Sequence, residues 1–193
     1  MACLRLFLFL EYNYIMLQIV IVAVIFIYTL VVFFVISSAF FTFMRTRVPF
    51  VPSKEEDIED MIDLAQIRSG DRFLDIGSGD GKVVFFVHRV KDVEATGIES
   101  GLWMHWFAKL KRFFTRANKT DFVRGDFFKH DWSGFDVIYA YLYPPLMATV
   151  EEKFFTEGKQ GARLVVKDFY LPGRKAEQEV NIDSRHTLYL YEI

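Results

Sequence analysis

Residues Phe73 to Lys82 read FLDIGSGDGK. A short apolar run ends in Asp75-Ile76, glycines follow at 77, 79 and 81, and VVFFVHRV then takes up helical spacing. Strand, glycine turn and helix in that order open a parallel α/β unit. In open parallel sheets the ligand lies beyond the carboxyl ends of the strands, and the first such turn is the usual place. Without Cβ atoms, glycines let backbone N–H groups approach a ligand and accept positive φ. The helix N-terminus behind them favours negative or polar groups.

A dinucleotide is one candidate for such a turn, and two features argue against it. The spacing is Gly-x-Gly-x-Gly, where the dinucleotide fingerprint is Gly-x-Gly-x-x-Gly. Asp75 precedes the turn and Asp80 lies inside it; two carboxylates repel a pyrophosphate and attract a cation. S-adenosylmethionine carries a sulfonium and an ammonium and no phosphate. Asp75, Gly77, Ser78, Gly79, Asp80 and Gly81 are therefore read as its cradle. Glu99 closes the next strand, where an acid can bond both ribose hydroxyls; the alternative is a solvated strand end. Asp126, in RGDFF after the third strand, is placed to accept from the adenine amino group, with Phe127 covering the ring. Plain turn residues are the alternative for that pair.

Beyond the turn, VEATGIE, DFVRGD, FDVIYAYLY and ARLVVKDFY read as further strands, and AEQEVNI and TLYLYEI as sheet-edge strands. GLWMHWFAKLKRFFTRAN and PLMATVEEKFFTEG read as the intervening helices. This alternation predicts an α/β, Rossmann-like, mostly parallel doubly wound sheet with an antiparallel C-terminal element. Trp103, Trp106, Phe107, Leu110, Phe113 and Phe114 recur at helical spacing, so that helix is expected to pack its apolar face on the sheet. Lys109, Lys111, Arg112, Arg116 and Lys119 would then form a solvated basic face; a helix lying on an anionic bilayer is the alternative. On the N-terminal side, Ser53 and Glu56 form an expected capping box for the helix SKEEDIEDMIDLAQI. RTRVPFVPS before it is a linker that Pro49 and Pro52 keep extended.

From Tyr12 to Met44 no residue is charged. Such a run exceeds the roughly 20 residues that cross a bilayer, so a single transmembrane helix is expected at about 15–43. The expected organisation is an N-terminal segment, 1–44, a linker, 45–53, and a catalytic domain, 54–193. Arg45 and Arg47 follow the span while only Arg5 precedes it, which places the domain on the cytoplasmic or organelle-matrix side. The one cysteine, Cys3, excludes an internal disulfide. Only Arg5 and Glu11 lie before residue 45, so the rest of the chain keeps the net charge of −2, which speaks against a general nucleic-acid binder. His88, His105, His130 and His186 have no metal-ligand spacing and are read as surface or helix residues, so no metal is expected.

FLDIGSGDGK, GIES, RGDFF and FDVIYAYLYPP resemble the ordered motifs of class I S-adenosylmethionine-dependent methyltransferases over nearly all of residues 53–193. More narrowly, a span followed by VPFVPS, then YLYPPLM and VVKDFYLPG, resembles the single-span protein-lysine methyltransferases that modify the ATP synthase c-subunit and the mitochondrial ADP/ATP carrier, with their prokaryotic relatives. The resemblance implies a lysine acceptor on a membrane or membrane-proximal protein. It also implies that Pro49 to Ser53 helps form the active site. An amine must lose its proton before it attacks, and an apolar pocket lowers its pKa. The uncharged aromatic rim YAYLYPP suits that task, with Tyr141 and Tyr143 as pocket residues; ordinary strand aromatics are the alternative. Asp136 begins its strand and is read as structural. A methyltransferase of a lipid or quinone, and a non-catalytic cofactor-binding scaffold, stay open as other readings.

Overall fold

The computed structural model describes residues 2–46 and 53–193, with side chains at 10–38 and 53–193. The expected linker residues 47–52 lie outside the described residues. The chain forms two compact units, 1–41 and 42–193. The first is built from the helix α1, Ala2–Thr46. Its stretch Leu10–Ser38 has a mean hydropathy of 3.3. At 1.5 Å per residue this stretch reaches about 40 Å, longer than a ~30 Å hydrocarbon core. Thr29 and Ser37 turn their hydroxyls back to the carbonyls of Ile25 and Phe33, at 2.8 and 2.6 Å. Inward satisfaction of that kind is what a helix in hydrocarbon requires.

The second unit carries a seven-stranded sheet in the order β3-β2-β1-β4-β5-β7-β6. Its strands are β1 Arg72–Ile76, β2 Glu94–Glu99, β3 Thr120–Arg124, β4 Val137–Ala140, β5 Arg163–Lys167, β6 Gln178–Asn181 and β7 Thr187–Glu192. The first five run parallel. The last two are antiparallel additions, β7 against β5 and β6 against β7. The helices are α2 Glu55–Leu64, α3 Lys82–Lys91, α4 Leu102–Thr115 and α5 Met147–Glu157. The sheet is thus the expected one, antiparallel C-terminal pair included. Strand order reverses between β1 and β4, which puts the turn after β1 at the switch point where ligands bind.

Successive residues of the central strands enter different cores. Phe73, Val137, Tyr139 and Val165 join α2 and α3 residues in one cluster. Leu74, Ile76, Ile138, Ala140, Leu164 and Val166 join Trp132 and α5 residues in the other. This is the period-2 alternation of a strand covered on both faces. The register pairs Asp75 with Tyr139 and Tyr139 with Val165, so Asp75, Tyr139 and Lys167 share the α2–α3 side.

That side also holds a buried ion pair. Lys167 Nζ lies 2.5 Å from Asp57 Oδ2, with both side chains almost fully buried. Arg163 adds a second tie, donating to the carbonyls of Ala65 and Gln66 and pairing with Asp71 at 2.7 Å. Together these bonds fix α2 to the sheet. Asp136 is structural, as expected: it accepts from Arg72 N at 2.8 Å and pairs with Lys159 at 2.6 Å.

Two expectations are corrected. The capping position of α2 is Lys54, whose backbone N–H reaches Asp57 Oδ2 at 3.4 Å; Ser53 is buried one residue earlier. His105, a helix residue as read, is buried on α4; burial is the main cause holding its pKa below the usual value. On α4 the sheet side is taken by His105 and Ala108, while Trp106, Phe107, Leu110, Phe113 and Phe114 are exposed. A small residue lets the helix backbone approach the short edge strand, and the large side chains then point away.

Removing one partner of a buried pair costs roughly 3–5 kcal/mol, because the other charge is left uncompensated. Lys167→Met is therefore expected to lower the thermal midpoint of the full chain in detergent by on the order of 10 °C. Asp57→Leu combined with Lys167→Met should recover most of that loss.

Candidate active site

The turn after β1 is left-handed at each glycine, with φ of 80° at Gly77, 54° at Gly79 and 77° at Gly81. Side chains there would also collide. A Cβ on Gly77 would meet Leu142 Cδ2 at 2.7 Å, and one on Gly81 would meet the Phe122 ring at 2.5 Å. The turn is tied to β2, since Gly77 N and Ser78 N both donate to the Ile98 carbonyl, at 2.9 and 3.1 Å. Gly97 makes room for Ser78, whose Oγ would lie 2.6 Å from a Cβ at 97. That Oγ is buried and has no hydrogen-bond partner among the described residues. Asp80 Oδ1 accepts from Lys82 N at 3.1 Å, holding the carboxylate at the start of α3.

Glu99 is not a solvated strand end. Its Oε2 accepts from Gly79 N at 3.0 Å and its Oε1 from Gly101 N at 2.5 Å. The carboxylate therefore bridges the glycine turn and the start of α4. Asp75 lies beneath the turn, 3% exposed. Burial, and after it the charges of Glu99 and Asp80, push its pKa up to about 8. Among the described residues, none of the three carboxylates has a salt-bridge partner. This glycine-lined turn gathers three acids that have no cationic partner among the described residues. The residues present fit S-adenosylmethionine: a cradle that side chains would fill, an orphaned hydroxyl, and acids that favour a cation.

Asp126 and Phe127 have local roles. Asp126 Oδ1 accepts from Phe128 N at 3.0 Å and starts a short 3₁₀ turn, Phe127–Lys129. The Phe127 ring is half-buried and packs on Phe128 at 4.5 Å. The segment is linked to Glu99 through Gly125 N, which donates to the Glu99 carbonyl at 3.0 Å.

At the end of β4 the two expected pocket tyrosines part company. Tyr143 is 45% exposed at the start of the 3₁₀ turn Pro144–Leu146. The Tyr141 ring covers Lys167, with Nζ at 4.7 Å from its centroid. Its hydroxyl bonds Asp168; burial first, then that bond and charge, push its pKa up to about 12. Asp168 is a non-glycine residue at φ 67°, a conformation that costs energy and concentrates at functional sites. Its Oδ2 lies 2.9 Å from His186 Nδ1, and its Oδ1 accepts from Thr187 N at 3.2 Å.

Asp168, His186, Lys167 and Tyr139 carry no sequence signal that singles them out. Only the adjacency of Lys167 and Asp168 at a strand end hints at them. Ser53 reaches the same region: its carbonyl accepts from Lys82 Nζ at 2.7 Å, and its side chain bonds the buried Tyr139 hydroxyl.

A family model described as the ANTKMT methyltransferase domain matches residues 75–178. The lysine N-methyltransferase of the ATP synthase c-subunit from Homo sapiens is 27% identical over 147 residues, which are 75% of this chain and 62% of that protein. A protein-lysine N-methyltransferase of Saccharolobus islandicus is 26% identical over 153 residues, covering 76% of this chain and 94% of that one. The chain thus spans about six-tenths of the length of the human relative and nearly all of the archaeal one. Among solved structures, an RNA methyltransferase from Salinibacter ruber in complex with S-adenosyl-L-homocysteine superposes with a TM-score of 0.71 at 26% identity, over 74% of this chain and 94% of that chain. Sheet order, glycine turn and matched residues lead to one conclusion: the chain belongs to the ANTKMT methyltransferase domain family.

Proposed function

We propose that this protein is a membrane-anchored, S-adenosylmethionine-dependent protein-lysine N-methyltransferase. Its substrate is a lysine on a membrane or membrane-proximal protein. The observation that carries the cofactor reading is the set of three acids, Asp75, Asp80 and Glu99, without a salt-bridge partner among the described residues, around a turn where a Cβ at Gly77 or Gly81 would collide. The lysine reading draws on the relatives, whose names specify lysine N-methyl transfer. The anchor is α1 and the catalytic domain is 54–193, held on the cytoplasmic or matrix side by Arg45 and Arg47.

When bound, the cofactor supplies an electrophilic methyl group for in-line transfer. In this reading the chain's residues divide the remaining work. Asp75 holds the ammonium, Glu99 takes the ribose hydroxyls, and Asp126 with Phe127 receives the adenine. Tyr141 and Tyr143 line the passage for the lysine side chain. Neutralising a lysine at pH 7 costs roughly 4–5 kcal/mol from its ordinary pKa. A half-desolvated aromatic pocket meets part of that cost. Asp168, held by Tyr141 and His186, would take the amine's proton as a general base.

Three outcomes test this reading. With radiolabelled cofactor and membranes, label should run with protein and resist organic extraction. Label extracted with lipid would favour a lipophilic small acceptor, and binding without transfer would favour a scaffold. Asp75→Asn should abolish cofactor binding in calorimetry while stabilising the ligand-free fold. A carboxyl whose native pKa is raised holds a proton that the unfolded chain lacks. Stability of the parent should therefore fall as pH rises from roughly 4 to 8, and the Asn variant should lose that slope and gain a few kcal/mol near neutrality. Asp168→Asn should leave cofactor affinity unchanged, lower kcat about 10²-fold, and shift the rate profile to higher pH.

A further inference from the structure

The exposed face of α4 is the feature that the cofactor site does not use. At 100° per residue, Trp106, Phe107, Leu110, Phe113 and Phe114 fall within an arc of about 120°. Their exposures are 60%, 46%, 56%, 76% and 73%. His105 and Ala108, which are buried, occupy the opposite side of the helix. Single exposed apolar residues are ordinary on a soluble surface. Five large ones on one helical stripe are a docking surface.

The flanks of the stripe name the occupant. Exposed Lys109 lies on one edge and exposed Arg116 stands at the C-terminal end. Lys111 borders the other edge, its ammonium 4.9 Å over the Phe85 ring. Arg112 is turned away into a pair with Asp121 at 3.6 Å. The helix itself contains no acidic residue. Aromatic side chains flanked by cations are the composition of a helix that lies in the plane of an anionic bilayer. Its rings sit at the headgroup–acyl boundary and its lysines reach back to phosphate. The same chain carries a helix apolar and long enough to cross a bilayer, so a lipid surface is at hand. A second copy of the chain would need acids opposite these cations, and the stripe offers none of its own.

We propose that α4 docks the catalytic domain on the membrane, in plane, with Trp106, Phe107, Leu110, Phe113 and Phe114 inserted among anionic lipids. The consequence is orientation. α4 is preceded by Gly101, whose N–H is held by Glu99. Docking along this helix brings the carboxyl edge of the sheet, and the glycine turn with it, to the level of the interface. An acceptor lysine at that depth is reached without leaving the lipid surface.

The tryptophans provide the test. The chain has three; Trp132 is fully buried, Trp103 and Trp106 are on α4, and α1 has none. The full chain is reconstituted into phosphatidylcholine–phosphatidylglycerol vesicles, with or without bromine on the acyl chains near the headgroup. Emission should fall by about half in brominated vesicles, because the in-plane depth brings α4 rings to the bromines. Quenching should weaken in pure phosphatidylcholine. Phe113→Glu/Phe114→Glu, at two exposed positions, should abolish it while the protein still floats with the vesicles through α1 and still binds cofactor. Flotation without any quenching of the parent would overturn the proposal and leave the methyltransferase reading intact. Dimers in detergent that dissociate in the double variant would also overturn it, assigning the face to a second copy.

Discussion

A carboxylate buried beside two others, with no cation to pair with among the described residues, is the constraint on which the site turns. Asp75 lies near the end of β1, opposite Tyr139 of β4, in a strand covered on both faces. Charge in such a place is unfavourable, and the chain responds by raising the pKa of the acid. The glycine turn adds to the constraint, since left-handed backbone and crowded neighbours forbid side chains at Gly77 and Gly81. Such an arrangement costs stability in the ligand-free fold, and in the proposed reading a positive ligand relieves it.

The polar network beside the cradle follows the same logic. Lys167 is buried against Asp57 under the Tyr141 ring, so its charge is spent on holding α2 to the sheet. Tyr141 turns its hydroxyl toward Asp168, which in turn holds His186. β7 brings that histidine to the end of β5. In the proposed reading the antiparallel C-terminal strands therefore bear on the site as well as on the sheet edge. Ser53 closes the region from the other side through Lys82 and Tyr139. The beginning and end of the domain meet at the carboxyl ends of β4 and β5.

Much of this was legible in the sequence where chemistry restricts the residue type. The glycine spacing declares itself because left-handed backbone and close neighbours restrict positions 77 and 81. The alternation of strands and helices gave the sheet, down to its antiparallel end. Other features were hidden for physical reasons. The role of Ser53 was misread because a serine before a helix usually caps it, and only tertiary contacts with Lys82 and Tyr139 override that preference. Asp168 and His186 meet through strand pairing, which leaves no local trace. On α4, periodicity reveals one apolar stripe but not which side the sheet lies on; Ala108, small enough for close approach, decides that.

The electrostatic claim can be measured without an acceptor protein. Ligand-free Asp75 holds a proton near neutral pH, and a bound cation should make it ionise. Calorimetric titration of the full chain with S-adenosylmethionine at pH 7, in two buffers of different ionisation enthalpy, counts the protons exchanged. The account predicts release of about one proton from the parent and none from a chain lacking the Asp75 carboxyl. Tight binding without proton release, or preferential capture of NADH, would contradict it.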